Sequence, residues 1–195
     1  GSIPGARSLS LFGVETRHTP GFERGTNLEK IGRECADTSE LFFNDMRVPA
    51  ANRIGEEGDG FAMLMEKLPQ ERLVIAIQAL AGIEYALRLT IDYAKQRKAF
   101  GGIIGRFQSL QHYVADIATM QTTTELMLLY CADKQSRGEN VGTEANMLKL
   151  MASENANQAA DLGIQILGGM GYSAETDMQR YWRDSRLWRI GPITN

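Results

Sequence analysis

The periodicity of apolar positions changes from two residues to three or four near residue 56. Before it, Ser8–Val14 alternates polar and apolar residues, and Glu40–Asn44 and Met46–Val48 are short apolar runs typical of half-buried strands. After it, apolar residues recur at helical spacing along several long segments. The pattern predicts an α+β chain that is mainly α, with a partial antiparallel β segment followed by an antiparallel helical bundle.

A polar turn at Ile54–Gly60, with three glycines and three acids, separates the two patterns. It predicts one domain of residues 1–56 and a helical domain of residues 57–195. Proline has no N–H, so Pro69 is expected to kink or restart the first helix. The helices are expected over Phe61–Leu68, Pro69–Gln96, Phe107–Ser136, Thr143–Leu167 and Ala174–Trp188.

Two features of the helical half concern what packs against it. Polar Gln121 and Thr124 lie within an otherwise apolar seam, which predicts a facing helix with polar groups of its own. The chain stops at Thr194–Asn195, a sequence typical of a helix N-cap, with nothing after it. A three-helix bundle with one short extra helix behind part of a β segment is incomplete, so we expect both ends to be truncated, with the last helix missing, or another chain to complete the fold.

Composition excludes several functions. With 43% hydrophobic and 23% charged residues, the chain reads as an ordinary globular protein, and its net charge of −3 argues against nucleic-acid binding. No run approaches membrane-spanning length, so no membrane insertion is expected. Cys35 and Cys131 are expected to be free thiols in a reducing compartment. The two histidines, His18 and His112, lack ligand-like spacing, so no metal site is expected.

Three stretches are candidates for chemistry, and each also has a purely structural interpretation. Glu71-Arg72 is either a surface pair or a base strengthened by apolar neighbours. Arg97–Gly101 is either a helix terminus or part of a diphosphate site. Gln165–Tyr172 is either a helix stop or a glycine-rich backbone that a ligand can approach closely.

Taken in order, these motifs resemble the flavin-dependent acyl-CoA dehydrogenases. The motifs are Glu-Arg, Arg-Lys-x-Phe-Gly, Phe-Gln, Gln-x-x-Gly-Gly-x-Gly-Tyr and Arg-Asp. The resemblance covers essentially the whole chain. It implies the latter half of the family's middle β domain and most of its helical C-terminal domain, so that residues 1–195 alone are expected to be inactive.

The resemblance also implies a reaction, the α,β-desaturation of an acyl-CoA thioester. In that reaction a carboxylate removes the α-proton and the β-hydrogen leaves as hydride to FAD. An acyl-CoA substrate, an electron-transfer flavoprotein as electron acceptor and a homo-oligomer, dimer or tetramer, are implied as partners. The location would be the cytoplasm in a bacterium and the mitochondrial matrix in a eukaryote.

Carried over position by position, the resemblance assigns roles to sixteen residues. Glu71 matches the catalytic base of the long-chain and isovaleryl-CoA members. The positions matching substrate contacts are Pro69, Gln70, Arg72, Pro192 and Ile193. The positions matching flavin contacts are Arg97, Phe100, Gln108, Gln165, Ile166, Leu167, Gly168, Gly169, Thr194 and Asn195.

Pro192 departs from the family pattern. It stands where many members place the base, so Glu71 has no rival, but proline also lacks the N–H that in the family holds the thioester oxygen. Ile193 adds bulk where glycine is usual. Two alternatives stay open, namely an acyl-CoA oxidase and a non-catalytic helical assembly module that keeps the fold.

Overall fold

A computed structural model describes residues 5–195. The chain divides into two compact units, Gly1–Leu68 and Pro69–Asn195. The predicted division at residues 56 and 57 stays a prediction. The strands are β1 (Leu11–Phe12), β2 (Phe22–Asn27), β3 (Ser39–Phe43), β4 (Arg53–Ile54), β5 (Lys98–Ala99) and β6 (Gly102–Ile103). The helices are α1 (Gly60–Gln96), α2 (Gln108–Ser136), α3 (Gly142–Leu167), α4 (Gly169–Tyr172) and α5 (Met178–Trp188).

The β segment consists of short antiparallel pairs, as predicted. β1 pairs with β4, and β2 pairs with β3 with a register irregularity between Arg24 and Asn27. Strand β2 was not predicted, because its residues are mostly polar. The strand predicted at Met46–Val48 is wrong, since β3 ends at Phe43 and Asp45 has a positive φ of 47°.

Helix α1 runs through Pro69 without a break. It is one helix of 37 residues with Pro69 inside it, so the predicted restart at this proline is wrong. Proline removes one i→i−4 hydrogen bond. Leu73 and Ala76, on the following turn, are buried in the core, and this burial favours continuation of the helix.

The apolar character of α1 also corrects the expectation that no stretch approaches membrane-spanning length. An 18-residue window of α1 has a mean hydropathy of 1.5, enough by length and composition alone to cross a bilayer. The buried side chains of α1 include Leu73, Ala79 and Ile83, each at most 6% exposed. A core helix of a globular protein has this same composition, so the window does not require a membrane.

Helices α2 and α3 pack antiparallel through the predicted seam. Thr124, fully buried at mid-helix, accepts a 3.0 Å hydrogen bond from Nδ2 of Asn155. Further along, Lys134 donates to Glu144 over 2.5 Å. The prediction that a partner helix would supply polar groups to the seam is confirmed, and the partner is Asn155.

Helix α5 packs against α1 and α3. A Cβ on Gly82 would lie 3.0 Å from the ring of Trp188, so the two helices meet at a glycine. Beside this contact, Tyr85 stacks on Tyr181 with 4.6 Å between ring centroids and donates to Asp177 over 2.9 Å. The core thus lies among α1, α2, α3 and α5, and all candidate site residues belong to the unit Pro69–Asn195.

Candidate functional site

The Glu71-Arg72 pair lies in the first turn of the second unit, within α1. Glu71 is exposed and its carboxylate has no hydrogen-bond or ion-pair partner among residues 5–195, whereas Arg72 is half-buried. Gln70 is exposed and Pro69 is half-buried. The expectation that apolar neighbours enclose Glu71 is therefore wrong for this chain. An exposed, unpartnered carboxylate is nevertheless available to a ligand.

The end of the chain is held to α3 by a connected set of polar side chains. Nζ of Lys149 donates to the carbonyl oxygen of Ile193 over 2.7 Å and to Oδ1 of Asn195 over 2.6 Å. Nδ2 of Asn195 donates to Ser153 and to Glu154, both over 2.9 Å. We call Lys149, Ser153, Glu154 and Asn195 the Lys149 network.

The Lys149 network is reinforced by Arg189, which directly follows α5, and the charge of Arg72 acts on Lys149. Arg189 donates to Glu154 over 2.9 Å, and its own carbonyl accepts the Asn195 N–H over 3.1 Å. Burial, and secondly the positive charge of Arg72, lower the pKa of Lys149, while Glu154 opposes the shift. Of the predicted substrate positions, Ile193 is therefore bonded to Lys149 and Pro192 adjoins it, whereas Arg72 acts on Lys149 through its charge.

Sequence reasoning missed the Lys149 network. Lys149 is only 4% exposed, next to fully buried Leu148 on the inner face of α3. A lysine in an apolar stripe, followed by a serine at i+4, was the available signal, because a buried lysine needs polar partners. Asn195, predicted to contact flavin, has both ends of its side chain bonded within the chain.

The predicted loop after α1 contains a hairpin. β5 and β6 pair antiparallel, and the Ile104 N–H donates to the Arg97 carbonyl over 2.9 Å. Phe100 lies at the tip, 86% exposed with φ of 51°, and its carbonyl accepts a 2.5 Å bond from Arg106. The side chains of Arg97 and Gln108 are exposed and form no hydrogen bond within the described part of the chain. Two flanking polar groups are thus left free for a ligand.

The three glycines after α3 have three different environments. Gly168 has φ 60° and ψ −136°, a conformation nearly restricted to glycine. A Cβ on Gly171 would lie 2.7 Å from the Ile164 carbonyl oxygen, so close packing demands glycine there. Gly169 is exposed, has no positive φ, and an added Cβ would meet nothing within 4 Å. The fold of this chain therefore does not explain a glycine at position 169.

The remaining predicted flavin positions differ in what they can offer. Gln165 is exposed, whereas Ile166 and Leu167 are 4% and 3% exposed, so their side chains belong to the core and only their backbone could face a ligand. Thr194 is exposed. No hydrogen bond or ion pair within residues 5–195 joins Gln165 or Thr194 to the hairpin or to Glu71.

The chain consists of short antiparallel β pairs followed by a helical bundle, and the bundle carries the candidate site. Together these features define a C-terminal helical domain and the β strands that precede it. Residues 58–192 match the family model described as acyl-CoA dehydrogenase, C-terminal domain. The chain therefore belongs to the acyl-CoA dehydrogenase family, as the sequence motifs indicated.

Individual relatives agree with the family match. An acyl-CoA dehydrogenase of Bacillus subtilis is 41% identical over 98% of this chain and 50% of its own length. The mitochondrial long-chain specific acyl-CoA dehydrogenase of Sus scrofa is 40% identical over 97% of this chain and 44% of its own length. The crystal structure of an acyl-CoA dehydrogenase from Geobacillus kaustophilus superposes with a TM-score of 0.95, at 43% identity, over 97% of this chain and 50% of that one. The chain spans about half the length of these relatives.

Two further relatives bear on ligands and partners. The solved FAD complex of PigA is 32% identical with a TM-score of 0.91, over 95% of this chain and 48% of PigA. The caffeyl-CoA reductase-Etf complex subunit CarC of Acetobacterium woodii is 36% identical over 95% of this chain and 49% of CarC.

Proposed function

We propose that this chain forms the latter part of an FAD-dependent acyl-CoA dehydrogenase that desaturates an acyl-CoA thioester between its α and β carbons. The observation that carries the proposal is Glu71, a carboxylate left exposed and unpartnered within residues 5–195 of a chain of this family. Glu71 takes the α-proton as general base. Pro192, at the other position where the family places a base, has no titratable side chain.

The substrate side of the site is assigned to residues near Glu71 and at the end of the chain. Pro69, Gln70 and Arg72 share the first turn of the second unit with Glu71 and are proposed to contact the acyl-CoA. Arg72 adds positive charge beside Lys149, which suits the negative charge that develops on the thioester oxygen. Since Pro192 offers no N–H there, another donor of this chain is required.

Four of the residues predicted for FAD offer groups that fit such a ligand, namely Arg97, Gln108, Gln165 and Gly169. The Arg97 guanidinium is exposed and unpartnered in the described chain, which suits a diphosphate. The open backbone at Gly169 admits close approach of a planar group, and exposed Gln108 and Gln165 offer hydrogen bonds. Bound FAD would supply the acceptor for the hydrogen and electron pair that leave the β carbon. The FAD complex of the relative PigA supports this assignment.

An apolar groove between α2 and α3 supports the proposed homo-oligomer, a dimer or tetramer. Its volume is about 760 Å³, and Leu126 and Met147 in its walls are 62% and 57% exposed. Exposed apolar surfaces of this kind are typical of protein interfaces. The groove is lined by Thr123, Leu126, Met127, Tyr130, Met147, Leu150 and Met151.

The electron acceptor is proposed to be an electron-transfer flavoprotein, an assignment supported by the relative CarC, a subunit of an Etf complex. The second candidate function is a non-catalytic helical assembly module. The absence of a donor at Pro192 favours it, and so does the groove. The proposed location stays the cytoplasm in a bacterium or the mitochondrial matrix in a eukaryote.

The first test is flavin retention by the 195-residue chain, mixed with FAD, desalted and measured by visible absorption. Flavin retained at about one per chain would support the site formed by Arg97, Gln108 and Gln165–Gly169. Chain with no flavin would mean that these contacts do not suffice alone, and the catalytic test would then need the complete protein.

The catalytic test is Glu71→Gln in the complete protein, with Glu84→Gln, another exposed α1 carboxylate, as the matched control. Loss of a general base costs about 10²–10⁴-fold in turnover, so Glu71→Gln should lose at least 100-fold while flavin content holds. Undiminished turnover would refute the assignment. Hydrogen peroxide formed in place of electron transfer would identify an oxidase, and no turnover of any acyl-CoA by an oligomeric wild type would favour the assembly module.

A further inference from the structure

The turn that joins α3 to α4 has little in its own residues to fix its shape. Gly168 and Gly169 stand side by side there, and a Cβ added at either would meet nothing within 4 Å. Glycine loses more conformational freedom on folding than any other residue. We call Gly168–Met170 the glycine turn. Its conformation depends on contacts from other segments of the chain.

A side-chain hydrogen bond from Thr176 reaches the glycine turn from outside. The Thr176 hydroxyl donates to the carbonyl oxygen of Met170 over 2.8 Å. The backbone adds a second link, because the Ser173 N–H donates to the Gly169 carbonyl over 3.1 Å. The segment before α5 is thus tied to the last two residues of the glycine turn.

Thr176 is itself held by the two residues that follow it. Asp177 accepts a 2.9 Å hydrogen bond from the hydroxyl of Tyr85 in α1. Met178 is fully buried beside Gly163 of α3, where an added Cβ would lie 2.5 Å from the Met178 sulfur. Because α1 and α3 fix these two neighbours, the Thr176 hydroxyl has a defined position from which to bond to the glycine turn.

We propose that Thr176 is a positioning residue for the flavin site, which holds the glycine turn through the Met170 carbonyl in the conformation that FAD contacts. This inference rests on the proposed function, in which FAD approaches the open backbone at Gly169. When the conformation that binds a ligand is only partly populated, the apparent affinity falls by that fraction. The resemblance to the family assigned no role to Thr176.

The first arm of the test measures the glycine turn without FAD or activity. In ¹⁵N relaxation of the 195-residue chain, the Gly169 amide should have an order parameter of about 0.85, falling toward about 0.6 in Thr176→Val. Thr176→Ser keeps the hydroxyl and should restore order. Thr119→Val is the matched control, because the Thr119 hydroxyl also donates to a backbone carbonyl over 2.8 Å, that of Ala115 in α2. An equally ordered Gly169 amide in Thr176→Val would overturn the proposal.

The second arm measures the dissociation constant of FAD by titration of the complete apoprotein. One hydrogen bond shifts a conformational equilibrium about 2–10-fold, so Thr176→Val should raise the apparent dissociation constant by about that factor. Thr176→Ser and Thr119→Val should bind FAD as the wild type does. A merely structural threonine would lower the melting temperature while the dissociation constant, measured well below that temperature, held. That result would overturn the flavin role.

A third variant tests the anchor of Thr176 in α1. Tyr85→Phe removes the hydrogen bond to Asp177 and keeps the ring that stacks on Tyr181. It should weaken FAD binding by a smaller factor than Thr176→Val and add little to that variant, because both substitutions act through the same bond to Met170. Two losses that multiply in full would overturn this route through Thr176.

The test separates the failure of this inference from the failure of the proposed function. A complete wild-type protein that binds no FAD would refute the proposed function, and with it the flavin role of Thr176. The order parameter of Gly169 would still decide whether Thr176 holds the glycine turn.

Discussion

Alanine substitutions at Gly169 and Gly171 should change stability in opposite directions, although the two glycines are only two residues apart. A Cβ at position 171 would lie 2.7 Å from the Ile164 carbonyl oxygen and 2.8 Å from its Cα, both backbone atoms. Overpacking of this kind costs about 1–3 kcal/mol. At position 169 the added Cβ meets nothing within 4 Å. Removing glycine's freedom in the unfolded chain should then stabilise by about 0.4–1 kcal/mol.

Thermal unfolding followed by circular dichroism measures both effects. For a chain of this size, 1 kcal/mol shifts Tm by about 2–4 °C, so Gly171→Ala should melt several degrees lower and Gly169→Ala should melt at or slightly above the wild-type temperature. Flavin retention after desalting should rank the two variants in the opposite order to their melting temperatures. Gly169→Ala should lose FAD despite its stability, because its methyl group occupies the surface that the proposed flavin approaches.

Two results would refute this reasoning. If Gly169→Ala kept as much FAD as the wild type, no ligand would approach that backbone and the flavin site would lie elsewhere. If Gly169→Ala unfolded as easily as Gly171→Ala, the surroundings of Gly169 would be tighter than the structure has them. Gly168→Ala is the reference for backbone strain, since its φ of 60° and ψ of −136° should cost about 1–3 kcal/mol.

Three further predictions concern the helical core. Asn155→Ala should lower the free energy of unfolding by about 1–3 kcal/mol because it leaves buried Thr124 unpaired. In urea unfolding, the same substitution should lower the free energy of unfolding by less when Thr124→Val is already present. Ile83→Ala, at a fully buried position, should cost about 2–5 kcal/mol, and a loss below 1 kcal/mol would argue against a packed core around α1. The hydrogen bond from Lys134 lowers the pKa of Glu144 below its ordinary value of 4.5. The contribution of this pair to the free energy of unfolding should therefore be present above pH 4.5 and be lost as the pH falls through the lowered pKa. Glu144→Gln should remove that pH dependence of unfolding. If the stability of the variant still fell at acid pH as in the wild type, the pairing of Lys134 with Glu144 would be contradicted.

The sequence by itself determined the long helices and the family. Apolar residues at three- and four-residue spacing can be buried together only on a helix, so the bounds of α2 and α3 followed within one residue. The need of buried Thr124 for a polar partner was equally readable, because a polar group in an apolar seam costs free energy unless it is bonded. The ordered motifs from Glu71 to Arg183 identified the family.

Only the tertiary structure decided which polar residues find partners. Local pattern could not foresee that Pro69 lies inside a continuous helix, since burial on the following turn offsets one missing hydrogen bond. Nor could it separate the roles of Gly168, Gly169 and Gly171, which depend on φ and on atoms of a preceding helix. Lys149 and Ile193 are 44 residues apart. Their bond exists because α3, α5 and the end of the chain pack together, and no short-range periodicity carries that information.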